Sequence, residues 1–501
     1  MNKKLKTVGI LLMLVLIVQL IAGCSSSSSS TAGSNNEPKA DDQKGNAAEE
    51  QITLRVMDWA DSEKHYRDQF IKDFETRHPN IKIEYTLMTS DQFQNTITTA
   101  IKSGDAPDLF PIPNGMKLST AIAGEWIQPL DSYIDDEFKS RFVDGVFVEG
   151  ATMHDGKIYS IPAFLPLPNT LVFYNKTLFK QAGLDPENPP KTYSEFRAAA
   201  EAITKASNGK AYGMIEGGKT IVRWKNPVVD WSALAGSGLN PHSPLSLVTN
   251  DASYDSQAVV DVIDLFKGMK DDGSYHPKTL SISAPEARAL FGQGQAGFII
   301  QGEWCIGVWT KENPDLDFGV MAPPVPDAGQ KGYMPRPNFQ PWLSMSSTTK
   351  HPEAAALYLK EYYSKDYQSV LVKAGDRFSI LKDVNETSAE LPQFKQYFDM
   401  AMANSRLAPS VEIRNPETAA VFAKYKDPQP GLGDILQGVM AGAIKDVKDP
   451  LKFLSNSVNT ALDQAIKDAQ AEGAKVDKDD FKFTNWSADK DYSAEDYEAI
   501  K

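Results

Sequence analysis

The chain has little cysteine: two in 501 residues, Cys24 and Cys305. Neither has a partner at metal-ligand spacing, and a disulfide framework needs more. The two could pair only with each other. Histidine is also sparse. His65, His78, His154, His242, His276 and His351 are scattered, none with a second histidine at zinc spacing, and neither H-E-x-x-H nor G-x-S-x-G occurs. Basic charge is in deficit, with 52 Lys and Arg against 66 Asp and Glu and a net charge of -14. An acidic body repels phosphate backbones, which excludes nucleic acid as a partner. It also excludes broad electrostatic attachment to anionic lipid, so any membrane link must be hydrophobic. There is no internal repeat.

What is present starts at the amino terminus. Lys3, Lys4 and Lys6 precede Val8–Ala22, an apolar run broken only by Gln19. This is the pattern of a signal peptide, and the run is shorter than the ~20 residues of a spanning helix. It ends Leu20-Ile-Ala-Gly-Cys24, which resembles the lipobox of bacterial lipoproteins. That resemblance implies removal of residues 1–23 and a diacylglycerol thioether on Cys24. Ser25–Ser30 and the polar stretch to about Glu50 cannot bury a core, so residues 24–50 read as a flexible tether.

The remainder is too long for one ordinary core, so two lobes are expected. Ile52, Leu54 and Val56 alternate as in a strand, Tyr66, Phe70 and Phe74 recur at helical spacing up to Pro79, and Ile81, Ile83 and Tyr85 alternate again. This is a strand–helix–strand unit of a parallel sheet. A helix near 92–102 ends at Gly104, and Asp108–Phe110 begins another strand. Further strands are expected at 171–174, 297–300 and 318–321. Thr192 with Glu195, and Ser283 with Glu286, form capping-box patterns. Val259, Val262, Ile263 and Phe266 mark another helix, closed by Gly273. From Pro352 onward the chain reads as mostly helical, so the class is α/β with a helix-rich carboxyl-terminal region.

Motifs for chemistry are few. Gly213–Thr220 formally matches G-x-x-x-x-G-K-[ST], the phosphate-cradling loop. Residues 207–212 do not read as the buried strand that loop requires. Glu216 opposes phosphate, and Pro227 follows within seven residues, where a helix should run. The acidic pairs Asp135-Asp136 and Asp271-Asp272 read as solvated turns rather than catalytic carboxylates.

Four segments in order resemble the bacterial extracellular solute-binding protein family 1, the group that includes maltose-binding protein. They are Phe74-Glu-Thr-Arg-His-Pro-Asn-Ile-Lys-Ile-Glu84, Ser103-Gly-Asp-Ala-Pro-Asp108, Tyr174-Asn-Lys-Thr-Leu-Phe-Lys-Gln-Ala-Gly-Leu184 with Pro189–Phe196, and Phe291–Phe298 with Gly302-Glu-Trp304. The resemblance covers about residues 51–375. It implies a two-lobed periplasmic-binding-protein-like fold with a hinge and central cleft. Lobe 1 is expected at 51–165 and 325–375, lobe 2 at 166–324 and 376–501. Three crossings are placed near 161–168, 321–326 and 373–379. The implied function is a monomeric lipoprotein on the extracytoplasmic face of the cell membrane, held to the bilayer through Cys24. It captures a solute by hinge closure and delivers it to the permease subunits of an ABC transporter. No catalysis is implied. Some relatives carry a D-x-N-x-D calcium loop; this sequence has none, so no metal or cofactor is expected.

Aromatic richness favours a saccharide, and chain size an oligosaccharide. A sugar offers C–H faces to flat aromatics and hydroxyls to polar side chains. The expected binding residues are therefore Asp58 and Trp59 at the end of the first strand, Glu303 and Trp304 after the 297–300 strand, and Asn114. Arg336, Asn338 and Trp342 lie after the second crossing, Trp224 at a proline-containing turn, and Arg377 near the third crossing. Trp126, Trp231 and Trp486 read as packing. Two other classes stay open: a co-receptor for a membrane sensor kinase, and a secreted polysaccharide-processing enzyme with paired carboxylates.

Overall fold

A computed structural model describes residues 51–168, 170–240 and 243–500. The expected signal peptide and tether, with Cys24, and His242 lie outside the described residues.

The first half opens with β1 (Ile52–Asp58), α1 (Lys64–Arg77), β2 (Ile81–Leu87), α2 (Ser90–Ser103), β3 (Leu109–Pro111), α3 (Leu118–Ala123), β4 (Ile127–Gln128) and β5 (Ser160–Ile161). The second follows with β6 (Leu171–Asn175), α4 (Tyr193–Ala206), β7 (Tyr212–Ile215), α5 (Val222–Leu234), α6 (Ala284–Gly292), β8 (Ala296–Gln301), α7 (Trp304–Glu312), β9 (Phe318–Met321) and β10 (Met334–Arg336). The chain then returns through β11 (Leu343–Ser346) and α8 (Pro352–Tyr362). It closes with α9 (Pro392–Ala403), β12 (Ser405–Leu407), α10 (Val411–Arg414), α11 (Thr418–Lys424) and α12 (Lys448–Ala471).

Two sheets result. The first has the order β2-β1-β3-β11-β4, with β5 also paired to β11; the second has the order β9-β6-β8-β7. The amphipathic first unit behaves as its periodicity requires: β1 pairs in parallel with both β2 and β3, while Phe70 and Phe74 of α1 are buried. The sheets are mixed rather than parallel throughout, because β11 runs antiparallel to β3, and β6 antiparallel to β8 and β9. Both capping boxes are present, Thr192 with Glu195 and Ser283 with Glu286.

The chain passes between the sheets after β5 and again between β9 and β11. Residues 376–388, expected in the second lobe, instead pack on the first. Phe142 bridges Leu381, the Val143 amide donates to the Ile380 carbonyl, and the Leu165 amide donates to the Phe378 carbonyl. The third passage therefore leads into α9, which packs against β9.

The strand expected to be missing before the phosphate-type motif exists, as β7, but it contains Gly213 itself. A Cβ on Gly213 would come within 2.3 Å of the Ala200 carbonyl oxygen, so this glycine serves the close packing of α4 on β7. Pro227 does not stop α5 but lies inside it. The loop amides are spent within the protein: Gly217 N–H donates to the Glu216 carboxylate, Gly218 N–H to the Thr279 carbonyl, Lys219 N–H to the Ile282 carbonyl. No phosphate cradle remains.

One apolar cluster runs through both sheets, from Leu54 and Val56 to Phe173, Ile299 and Phe318. A second lies under α4 and α5, and a third joins α12 to residues 411–500.

Candidate functional site

The loops after β1 and β7 each touch a helix of the opposite half. Asp61 pairs with Arg288 of α6, Thr220 Oγ1 lies 3.3 Å from Asp91 Oδ2, and the Lys311 ammonium sits 5.1 Å over the Tyr66 ring. These contacts bring the two halves together.

Trp59 and Trp342 form an aromatic corner on the first sheet. Their ring centroids are 4.7 Å apart at 74°, and Trp59 also lies 4.7 Å from Phe93 at 59°. Trp59 is half-buried, continuing β1, while Trp342 is buried immediately before β11. The Trp342 Nε1–H is buried and meets no acceptor among the described residues. An unsatisfied buried donor costs about 1–3 kcal/mol, so it calls for an explanation. On the opposite half, Trp304 begins α7 half-buried, its indole folded over Gly302, where a Cβ would lie 2.1 Å from the ring. Only glycine leaves room for that ring.

Several other expected residues serve the fold. Asp58 is buried, accepts the Ala60 amide at 2.8 Å and lies 3.5 Å from Arg67. Arg67 also reaches Glu63 at 3.4 Å, and Arg377 holds Glu63 at 3.2 Å, Asp376 at 2.9 Å and the Tyr362 hydroxyl at 3.1 Å. Asp58 and Arg377 are thus members of one buried ion network beside the junction. Burial pushes Glu63 above the usual carboxylate range, partly offset by Arg377 and Arg67. Trp224 is buried and donates Nε1–H to the Gly218 carbonyl at 2.8 Å, so it is packing. Arg336 pairs with Asp491 at 2.7 Å and Asn338 donates to the Ala408 carbonyl at 3.2 Å; both tie the carboxyl-terminal segment down. Asn114 is exposed and donates to Ser90 Oγ at 3.0 Å. Trp231 is fully buried, as expected of a packing residue.

Glu303 is buried between β8 and α7, and burial raises its carboxyl to about 8, with Asp376 adding to the shift and Arg377 opposing it. Asp230 on α5 was not singled out in the sequence. It is half-buried, accepts the Thr170 hydroxyl at 2.6 Å, and burial lifts its carboxyl to about 7. The Asp230-Trp231 dipeptide repeats the acid–tryptophan pattern of Asp58-Trp59 and Glu303-Trp304, which was the available signal. Both Glu303 and Asp230 act electrostatically on Tyr397, so they share one neighbourhood. Arg223 is held by Glu216 at 2.9 and 3.1 Å, and Arg288 by Asp61. The arginines here are already neutralised by carboxylates.

The expected absence of metal ligands meets one cluster among the described residues: Glu149, His154 and Asp155 place ligand atoms within 4.8 Å of one another. Glu149 already accepts the Asp155 and Gly156 amides, at 2.7 and 3.2 Å, which makes the group a brace for the turn. Cys305 is fully buried, and burial pushes its thiol up to about 12. Among the described residues, no helix is long and apolar enough to cross a membrane.

Residues 60–369 match the family model described as bacterial extracellular solute-binding protein. An uncharacterized ABC transporter extracellular-binding protein of Pyrococcus horikoshii is 22% identical over 75% of this chain and 82% of its own. The diacetylchitobiose binding protein of Streptomyces coelicolor is 24% identical over 65% of this chain and 72% of its own. An ABC substrate-binding protein from Listeria monocytogenes, solved in complex with cycloalternan, superposes with a TM-score of 0.63. It is 19% identical and covers 82% of this chain and 99% of its own. The two sheets, their crossings and the family match agree: this chain is a two-lobed member of the bacterial extracellular solute-binding protein family.

Proposed function

We propose that the chain is the substrate-binding lipoprotein of an ABC importer, that it captures an oligosaccharide between its lobes, and that it hands this ligand to a membrane permease. The observation that carries the sugar reading is the Trp59–Trp342 corner with its unpartnered indole N–H. Aromatic faces cover sugar C–H surfaces, and a donor held out of water awaits a hydroxyl oxygen. Neutralised arginines and two carboxyls that hold their protons near neutrality make a poor site for phosphate and a good one for uncharged polyols. The relatives bind diacetylchitobiose and cycloalternan, both carbohydrates. The lipobox pattern ending at Cys24 supports the anchor.

The test is a thermal-shift and calorimetric screen with malto-, xylo- and chito-oligosaccharides and glycerol 3-phosphate. At least one oligosaccharide raises the melting temperature, and Trp342→Ala lowers its affinity tenfold or more. A shift with the phosphate ester alone overturns the sugar reading. The bound sugar is recovered intact; cleavage products would make the protein an enzyme. Labelled palmitate enters the parent chain and not Cys24→Ser; equal labelling overturns the anchor.

A further inference from the structure

The family match ends at residue 369, but the chain continues through a helical segment with its own apolar core. Val411 and Val421 pack there with Leu245, Leu247, Leu462, Phe481 and Tyr497. That core fixes the segment to the second lobe. β12 pairs with β10, the Asn240 side-chain Nδ2 donates to the Pro409 carbonyl at 3.0 Å, and the Ser410 backbone N–H donates to the Tyr497 hydroxyl at 2.8 Å.

The other side of the segment faces the first lobe. Glu412 of α10 is buried, and its carboxylate lies 3.0 Å from the Lys117 ammonium at the start of α3. The same ammonium sits 4.5 Å over the Phe422 ring of α11, and α3 packs on α11. Next to them, a Cβ on Gly150 would come within 2.5 Å of the Glu412 carbonyl oxygen, and Gly150 has φ +79°. Any other residue would lift the segment away. Lys117 is thus gripped by a buried carboxylate and an aromatic face, both supplied by the second lobe.

We infer that residues 408–425 form a clasp that bridges the lobes and holds the closed form without ligand. Ion pairs as secluded as this one are less screened than exposed pairs, and the aromatic contact adds to it. The clasp is made and broken as the lobes move, so it sets the share of closed molecules before any solute arrives. Affinity for the solute then carries that population as a factor. The inference is independent of the solute's identity.

Hydrogen–deuterium exchange on the full chain, without ligand, tests it. Glu412→Gln and Lys117→Met keep side-chain size and remove the pairing. Each is expected to speed exchange threefold or more at 58–62 and 216–220, loops of the opposite halves remote in sequence from the clasp. Unchanged circular dichroism and melting would show that the fold persists. Faster exchange confined to 112–118 and 408–414 would make the pair a local contact and overturn the clasp, as would parental rates throughout. Phe422→Leu provides a milder variant should either charge substitution impair folding, with the same remote loops as its readout.

Discussion

At the scale of single residues, the two halves of the proposed binding cleft differ in chemistry. The first presents an aromatic corner, and the second a tryptophan beside protonatable carboxyls. Trp59→Ala is expected to weaken oligosaccharide binding about tenfold in calorimetry, with Trp342→Ala more severe because the latter also removes the buried donor. Glu303 makes a pH prediction. Its carboxyl titrates near 8 in the folded chain, against about 4.5 for an unfolded glutamate. A raised acid binds its proton more tightly when folded, so its stabilisation is complete below about pH 4.5 and fades as pH climbs to 8. Denaturant titrations of Glu303→Gln should therefore show a flatter pH dependence across that range, by a few kcal/mol in order of magnitude. A parallel pair of curves would place Glu303 in a better-solvated setting.

At the scale of elements, local codes set most of the boundaries. Thr192 and Glu195 exchange hydrogen bonds around the first turn of α4, as their spacing requires. Thr192→Ala should cost about 1 kcal/mol, read as a lower denaturation midpoint. Gly213→Ala should cost more, about 1–3 kcal/mol, because α4 leaves its backbone no room. The alternating and amphipathic segments of the first unit were legible because one face of each is apolar. β11 was not: Leu343-Ser-Met-Ser346 alternates over only four residues, too short a run to stand out, and its two serines are buried in the middle of the first sheet although their polarity points to solvent. The site was harder to read than the fold. A tryptophan beside an acid looks alike in a core and in a cleft. Trp224 and Trp59 separate only once the helix around Pro227 and the corner with Trp342 are built. Arg377 and Asp58 carry the charge expected of ligand contacts, yet Arg377 is consumed by Glu63, far away in sequence, and Asp58 by Arg67 on the following helix.

At the scale of the whole molecule, binding and stability are linked. A ligand that selects the closed form at a hundred times its dissociation constant adds about 2.7 kcal/mol to unfolding, which a melting curve registers directly. Arg288→Met removes the partner of Asp61 and should lower that gain by loosening the contact between halves. The apolar cluster that runs from Leu54 through Phe173 to Phe318 has a different consequence. It is a common keel for the two lobes, so neither is expected to melt while the other stays solid. Heating in a calorimeter should give one endotherm for the pair, and a fragment cut at the first crossing should precipitate rather than survive as half a protein.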